Sequence, residues 1–307
     1  MKIALFAADY EILRYARGFA PLQEDEWVGS FLTSGKSDAF SEAERAVLPA
    51  FYSSADRLAD MADLLVVGGV PSCRFYYVSR FLRKGKAVWS DWPVSTLYAE
   101  TCKLASLAEE AKVCNQVAHD GRRHPLWEAA RPYWKNARLI RTDICRPFDC
   151  TGDFCFEDML HPYIDRVLSV TDEPLKRVRS RKVKTGGRGN FSVWLEIEFN
   201  SGLLAEFWID NVSASVSEKM RCIGPEAVVD LDFLTFELRA EEADKAEEKR
   251  LSLAQETARF AEGFLSEDLR EFAAACRDGH QQGPDFSHSG KLQDVLAQIN
   301  RSLRYYE

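Results

Sequence analysis

Short apolar runs alternate with helical segments through the first 120 residues, and this alternation limits the fold more than any other feature of the sequence. Four runs bounded by Gly, Pro or polar residues predict buried strands: 2–6, 27–32, 64–69 and 87–89. Helical spacing follows three of them, at 12–19, 73–84 and 95–112, and Ser95 is the predicted N-cap of the last helix. Strands that alternate with helices in this way predict a parallel, doubly wound sheet.

The spacing of apolar residues changes after about residue 120. Residues 137–147 predict a strand and residues 154–170 predict a helix. From residue 176 to 212 apolar and polar residues alternate with a period of two, which is typical of a largely antiparallel sheet with one apolar face. The mixed acidic and basic residues 240–250 predict a solvated loop or a short helix.

We therefore predict an α/β protein with two domains. Residues 1–120 form a Rossmann-like dinucleotide-binding-type domain with a doubly wound parallel sheet. Residues 121–307 form a substrate and oligomerisation domain with a large, mostly antiparallel sheet, and its last helix is free to pack back on the first domain.

The charge balance excludes some partners and locations. The chain has 40 basic and 48 acidic residues, a net charge of −8, which argues against nucleic acid as a partner. No apolar run reaches the roughly 18 residues of a membrane span. Asp9 and Glu11 interrupt the N-terminal apolar run too early for a signal peptide, so we predict a cytoplasmic protein with reduced cysteines.

Four stretches carry a resemblance to a known family: residues 61–95 (MADLLVVGGVPSCRFYYVSRFLRKGKAVWSDWPVS), GRRHP at 121–125, FEDMLHPYID at 156–165, and residues 266–303. Together they resemble the glucose-fructose oxidoreductase/inositol dehydrogenase/MocA family. The resemblance implies binding of NAD(P) at the first turn, and a Lys and a His beside a hydroxyl or carbonyl of a sugar or polyol. The nicotinamide ring exchanges a hydride there while the side chains handle the proton.

The resemblance places the cofactor at residues that depart from the family pattern. The three turn glycines fall at Ala7, Asp9 and Ile12, and a carboxylate at Asp9 brings like charge to the place of the pyrophosphate. The ribose-binding acid falls near Thr33 or Ser34, and Ser34 with Lys36 suits a ribose phosphate, which favours NADP over NAD. Pro71 follows the third strand.

The implied catalytic residues are also only partly kept. Asp91 retains the acid of the family's Glu-Lys-Pro corner, whereas Trp92 replaces the Lys and is able to stack on a flat ligand. His161 is the implied proton donor or acceptor, with Glu157 one helical turn before it as its orienting group. A histidine at a domain interface, bonded to a backbone carbonyl, remains the alternative. Pro71, Asp91, Trp92, Arg122 and His161 are predicted to line one cleft.

Two functions stay open. The first is a divergent NAD(P)-dependent oxidoreductase that acts on a small sugar-like or cyclic hydroxy or carbonyl substrate. The second is a non-catalytic ligand sensor or partner subunit that has lost cofactor binding, which the residues at Ala7, Asp9, Ile12 and Trp92 favour.

Three further groups of residues each have a functional interpretation and a purely structural one. Cys145, Cys150 and Cys155 before His161 lack the tight spacing of a zinc knuckle, so we predict no metal. The basic residues of 176–188 favour a solvent-exposed face of a sheet over a binding site for an anion. Exposed aromatic residues on the long strands, among them Trp194 and Trp208, predict a homo-oligomer through the C-terminal sheet.

Overall fold

The computed structural model describes residues 1–307 except 20–24, 34–39, 42–43, 45–47, 49, 119, 147–155, 185–190, 246, 257–264, 282 and 305–307. Its internal contacts divide the chain into two units, each formed by two segments. Unit 1 comprises Met1–His119 and Gly263–Gln293, and unit 2 comprises Asp120–Glu262 and Asp294–Glu307.

Unit 1 is built on a parallel five-stranded sheet with the order β2-β1-β3-β4-β5. Its strands are β1 (Lys2–Ala7), β2 (Glu26–Leu32), β3 (Leu64–Val67), β4 (Ala87–Ser90) and β5 (Asn115–Val117). The helices between them are α1 (Asp9–Phe19), α2 (Ala55–Met61), α3 (Pro71–Arg83) and α4 (Tyr98–Ala111). The chain reverses its direction of winding at β1, so the crevice beyond the carboxyl ends of β1 and β3 is the expected ligand edge.

Two apolar clusters, one on each face of this sheet, form the core of unit 1. Alternate residues of β1 divide between them: Ile3 and Leu5 join the first cluster, whereas Ala4 and Phe6 join the second. Helix α8 (Leu265–Arg277) completes the first cluster, to which it adds residues such as Phe272.

A buried carboxylate fixes α8 to the sheet. Asp268 accepts hydrogen bonds from the indole N–H of Trp89 in β4 (2.7 Å) and from the amide of Gln116 in β5 (2.8 Å). Beyond α8 the chain follows β5, where the N–H of Val117 donates to the carbonyl of Pro284 (2.9 Å). A segment from the end of the sequence is therefore part of the N-terminal fold.

Unit 2 contains an eight-stranded sheet with the order β13-β12-β11-β10-β6-β9-β8-β7, antiparallel at every pair except β6–β9. Its strands are β6 (Leu139–Cys145), β7 (Leu175–Lys184), β8 (Phe191–Phe199), β9 (Leu204–Asp210), β10 (Ser217–Ile223), β11 (Ala227–Asp232), β12 (Glu237–Glu242) and β13 (Lys249–Ser252). Its other described elements are α5 (Pro125–Ala129), α6 (Arg131–Trp134), α7 (Phe156–Leu168) and 3-10 turns at Asp120–Arg123 and Ala254–Glu256. Helix α9 (Phe286–Arg304) begins in unit 1, where Phe286 is part of the core, and ends in the second segment of unit 2.

The predicted fold class is confirmed: a Rossmann-like parallel sheet is followed by a larger, mostly antiparallel one. In β8 the burial alternates as expected, with Val193, Leu195, Ile197 and Phe199 buried and the residues between them half-buried. No described helix is long and apolar enough to cross a membrane.

One local prediction held in part and another was wrong. Residues 240–250 include the end of β12 and the start of β13, and the described residues between these strands, 243–245 and 247–248, form a largely exposed turn. Ser95 is not a helix N-cap, because α4 begins only at Tyr98, with Leu97 as its N-cap. The Ser95 hydroxyl instead accepts from the N–H of Leu97 (3.1 Å) and donates to Glu100 (2.5 Å) in the turn before the helix.

Candidate active site

The carboxyl edge of the first sheet is held together by a buried polar group around Asp91, directly after β4. The carboxylate of Asp91 accepts a short hydrogen bond from the hydroxyl of Tyr15, a fully buried residue of α1. The guanidinium of Arg74 in α3 lies 3.8 Å from the same carboxylate. Arg74 also donates to the carbonyls of Gly69 (3.0 and 2.6 Å) and Pro93 (2.7 Å), so one buried cation joins the turns after β3 and β4.

Tyr15 and Arg74 did not emerge from the sequence as site residues. Tyr15 lies 76 positions before Asp91, and no local spacing relates the two. Gly68 was the one sequence feature that pointed to Tyr15. A Cβ at Gly68 would lie 2.4 Å from the Tyr15 hydroxyl oxygen, so the glycine leaves space for that side chain. The guanidinium of Arg74 supplies a positive charge near the corner at which Trp92 replaces the expected Lys.

The turn after β1 and the turn after β3 form a narrow cradle of small residues. Ala7 ends β1 and is fully buried, as is Ala8. Gly69 adopts a left-handed backbone (φ +83°), and a Cβ there would lie 2.9 Å from the hydroxyl oxygen of Thr33 and 3.0 Å from the nitrogen of Ala8. The Thr33 hydroxyl is buried and has no hydrogen-bond partner among the described residues. The small side chains and this free hydroxyl suit a nucleotide.

The charges on α1 oppose a pyrophosphate. Asp9 is the first residue of α1, and Glu11 follows in the same turn. One carboxylate oxygen of Glu11 is buried without a described partner. Ile12 is fully buried in the first apolar cluster and packs against the sheet rather than facing a ligand. The cradle is therefore lined by small residues, while the first turn of α1 carries acids where phosphate groups usually bind.

Of the remaining predicted site residues of unit 1, one lies at the carboxyl edge of the sheet, one packs against the core, and one is outside the described residues. Pro71 is the first residue of α3, at the same edge as Asp91. Trp92 is half-buried and packs against the second apolar cluster of unit 1, which accounts for part of its ring. Ser34 lies outside the described residues.

In unit 2 the candidate catalytic pair lies on α7. His161 is half-buried, and Glu157 precedes it by four residues in the same helix, with a side chain outside the described part of the structure. Arg122 approaches the same helix from the preceding 3-10 turn and forms a bidentate ion pair with the fully buried Asp165 (2.7 Å for both bonds). This pair fixes the start of unit 2 against α7.

A second charged group lies on the other flank of α7. Glu218 in β10 pairs with Arg166 (3.5 Å) and with Arg146 (3.1 Å), the residue that follows β6. Arg146 also donates to the hydroxyl of Tyr163 (3.3 Å). Burial, and then the nearby charge of Glu218, raise the pKa of the Tyr163 phenol, so its oxygen remains protonated.

The two other clusters of the sequence lead to no described site. Among the residues that the structure describes, no three His, Cys, Asp or Glu side chains could hold a metal ion. Cys150 and Cys155 lie outside those residues, and the thiol of Cys145 donates to the carbonyl of Ser215 (3.0 Å). The basic residues of β7 largely follow the ordinary interpretation: Lys176 and Arg177 pair with Glu198, and a further pair joins β7 to β8.

Residues 14–119 match the model of a family described as an oxidoreductase family with an NAD-binding Rossmann fold. This match, with the structural likenesses below, confirms the resemblance read from the sequence. The sequence matches no curated protein.

Three solved structures illustrate the likeness, which covers the whole chain. UDP-N-acetylglucosamine 3-dehydrogenase GnnA from Acidithiobacillus ferrooxidans has a TM-score of 0.83 at 17% identity, with 100% of this chain and 98% of that chain covered. Levoglucosan dehydrogenase, in complex with NADH and L-sorbose, has a TM-score of 0.78 at 12% identity, with 99% and 97% covered. Biliverdin reductase from Synechocystis sp. PCC 6803, in complex with biliverdin and NADP+, has a TM-score of 0.77 at 16% identity, with 99% of each chain covered. At these identities the likeness establishes the fold.

Proposed function

The chain resembles the glucose-fructose oxidoreductase/inositol dehydrogenase/MocA family, and we propose that it is an NAD(P)-dependent oxidoreductase. Its proposed substrate is a small sugar-like or cyclic hydroxy or carbonyl compound. The observation that carries this proposal is the cradle of small residues at the switch point of a sheet that matches an NAD-binding family. Proteins with this fold are named for UDP-N-acetylglucosamine, levoglucosan and biliverdin.

The cofactor residues follow from the geometry of unit 1. We assign the dinucleotide to the carboxyl edge beside Ala7, Ala8 and Gly69, whose side chains are small, and beside the Thr33 hydroxyl, which has no described partner. When bound, NAD(P) supplies the hydride acceptor or donor. Because Asp9 and Glu11 repel phosphate at the first turn of α1, we expect weaker cofactor binding than a glycine turn would give. NADP remains our preferred form, because the sequence has Ser34 where the ribose-binding acid would fall.

The proton chemistry is assigned to unit 2. His161 accepts the hydroxyl proton of the substrate during oxidation and returns it during reduction, and Glu157 orients the imidazole from one turn before it. Asp91 is a fixed acceptor rather than a second base, since Tyr15 and Arg74 already bind its carboxylate. Trp92 provides a flat apolar wall beside it.

Titration of the purified protein with NADH and NADPH, followed by tryptophan fluorescence and calorimetry, tests the proposal. We expect binding of at least one cofactor in the micromolar range. Thr33→Val should weaken it several-fold because the variant loses only the free hydroxyl. Thr101→Val is a matched control, since Thr101 also has a buried hydroxyl without a described partner, but in α4.

Absence of binding at millimolar cofactor would refute the oxidoreductase. The chain would then be better explained as a ligand sensor or partner subunit. The acidic first turn of α1 is the observation that favours this second function.

We also propose that the protein forms a homo-oligomer through the open face of the second sheet. Trp194 in β8 and Trp208 in β9 are direct cross-strand neighbours there, and Trp208 is 44% exposed beneath the guanidinium of Arg141. A groove of about 870 Å³ continues the same face over β6 and β10–β13. We expect Trp208→Glu to shift the sedimentation coefficient toward the monomer, whereas Val216→Glu, an exposed residue outside the strands, should not. A monomeric parent protein would refute the proposal.

A further inference from the structure

We propose that Arg146 binds an oxyanion of the substrate, a phosphate or carboxylate group, so that the substrate is an acidic sugar derivative rather than a neutral sugar. This inference rests on the proposed function, because it specifies the substrate class of the same site. The inference is based on the position and charge of the Arg146 guanidinium in unit 2, and on its hydrogen-bond donors that no described residue uses.

Arg146 is fixed at the carboxyl end of a central strand. It follows β6, and its backbone N–H donates to the carbonyl of Asp210 (3.1 Å). One nitrogen, Nη2, donates to the Tyr163 hydroxyl (3.3 Å) and to Glu218 (3.1 Å). Both partners are buried, so the guanidinium is held in one orientation before any ligand arrives, which lowers the entropy lost on binding.

The buried acid beneath it is already neutralised. Glu218 pairs with Arg166, whose side chain is only 4% exposed. Arg166 is otherwise satisfied by the carbonyl of Gly121 (2.8 Å) and by the ring of Phe233, 4.2 Å from its guanidinium carbon. Two guanidiniums thus share one carboxylate, and this group of three side chains has a surplus of one positive charge.

The surplus charge is accessible to a ligand. The side chain of Arg146 is 47% exposed, against 11% for Glu218. Nε and Nη1 make no hydrogen bond within the described part of the chain, which leaves three N–H donors free. Burial lowers the pKa of Arg146, but Tyr163 and Glu218 outweigh that effect and raise it above the ordinary value. Arg146 is therefore a permanent, oriented cation with free donors, the usual arrangement for binding carboxylate or phosphate.

Stability alone does not explain this residue. A half-exposed arginine on a carboxylate that already has a buried partner adds little to folding, since exposed ion pairs are weak. Its location matters more, because Tyr163 and Arg166 belong to α7, the helix that carries His161.

The test is calorimetric titration with four probes and without cofactor: uridine diphosphate, glucose 6-phosphate, glucuronate and glucose. We expect an anionic probe to bind the parent at least ten times more tightly than glucose. Arg146→Gln should weaken that binding about tenfold or more, and Arg146→Lys should retain part of it. Arg131→Gln, which removes a 73% exposed arginine paired with Glu128, is the matched control and should change nothing. The phosphate and carboxylate probes show which oxyanion is preferred.

The outcomes separate this inference from the oxidoreductase proposal. Equal binding of every probe by the parent protein and Arg146→Gln, or no preference for an anion over glucose, would overturn the inference. Loss of uridine diphosphate binding in Thr33→Val but not in Arg146→Gln would assign that probe to the cradle instead and count against Arg146. Anion binding through Arg146 without any NADH or NADPH binding would uphold the inference and refute only the oxidoreductase.

Discussion

Removal of the Asp268 carboxylate should destabilise unit 1 more than any other single truncation of an acidic residue in α8. Asp268 is 9% exposed, and its oxygen Oδ2 accepts from both Trp89 Nε1 and Gln116 Nε2. In Asp268→Ala two buried donors lose their acceptor. Each such loss costs about 1–3 kcal/mol, and relief of the buried charge offsets part of it. We expect the free energy of unfolding of unit 1 to fall by about 3 kcal/mol.

The variant Asp268→Asn separates the contributions of hydrogen bonding and of charge to this loss of unfolding free energy. Its amide oxygen can replace Oδ2 and keep both donors satisfied, so we expect a loss of only about 1 kcal/mol. Water cannot easily replace the missing acceptor in the Ala variant, since Trp89 is fully buried and Gln116 is 2% exposed. The Gln116 side chain is also confined by Gly283, where a Cβ would lie 2.6 Å from its oxygen.

Urea unfolding followed by tryptophan fluorescence measures these differences, with Trp89 as a reporter inside unit 1. Asp278→Ala, an exposed acid just beyond α8, is the control and should change the stability by less than about 0.5 kcal/mol. An Asp268→Ala variant as stable as that control would refute the reasoning. Equal losses in the Ala and Asn variants would show that charge, not hydrogen bonding, dominates.

Three further predictions concern unit 1 and the start of unit 2. Gly69→Ala should cost about 1 kcal/mol more than Gly85→Ala in thermal unfolding, because both glycines are left-handed but only Gly69 faces atoms that a Cβ would meet. Arg122→Gln should cost about 3 kcal/mol in urea unfolding by removing the bidentate ion pair to buried Asp165, and adding Asp165→Asn should recover part of the loss; no recovery would contradict a dominant charge effect. Burial lowers the pKa of His124 from 6.5 to about 3, so the unfolded chain binds a proton in this interval that the folded chain does not. Stability should therefore fall, by up to about 1.4 kcal/mol per pH unit, as the pH drops from 6.5 toward 3. His124→Asn should reduce that slope, and an unchanged slope would exclude this histidine as its source.

Periodicity made most of the fold predictable. The alternation in residues 191–199 foretold the buried and open faces of β8 correctly, because a strand in a half-covered sheet must repeat every two residues. At residues 240–250 the pattern predicted the exposed turn but not the strands on either side of it, since β12 has only two buried side chains, Leu238 and Ala240, among charges that resemble a solvated segment. Short edge strands give too few repeats for the pattern to stand out.

The candidate site was less predictable, because its residues meet through long-range contacts. Asp91 was singled out from its corner, but its partners Tyr15 and Arg74 come from two different helices. The surplus charge at Arg146 depends on β6, β10 and α7 converging, which no local spacing encodes. Glycines gave the best indirect signal, since Gly68 and Gly69 mark places that other side chains fill.

Helix α8 and the segment along β5 come late in the sequence but pack on the first sheet. This order affects how the chain folds during synthesis. Residues 1–119 reach the ribosome exit long before Asp268, Phe272 and Pro284, yet the first core and the edge of β5 need all three. Until residues 265–277 emerge, Trp89 lacks its acceptor Asp268 and an apolar face of the sheet stays open. A fragment that stops near residue 120 should therefore aggregate or bind chaperones, and unit 1 is expected to commit to its native state only after these later residues have been synthesised.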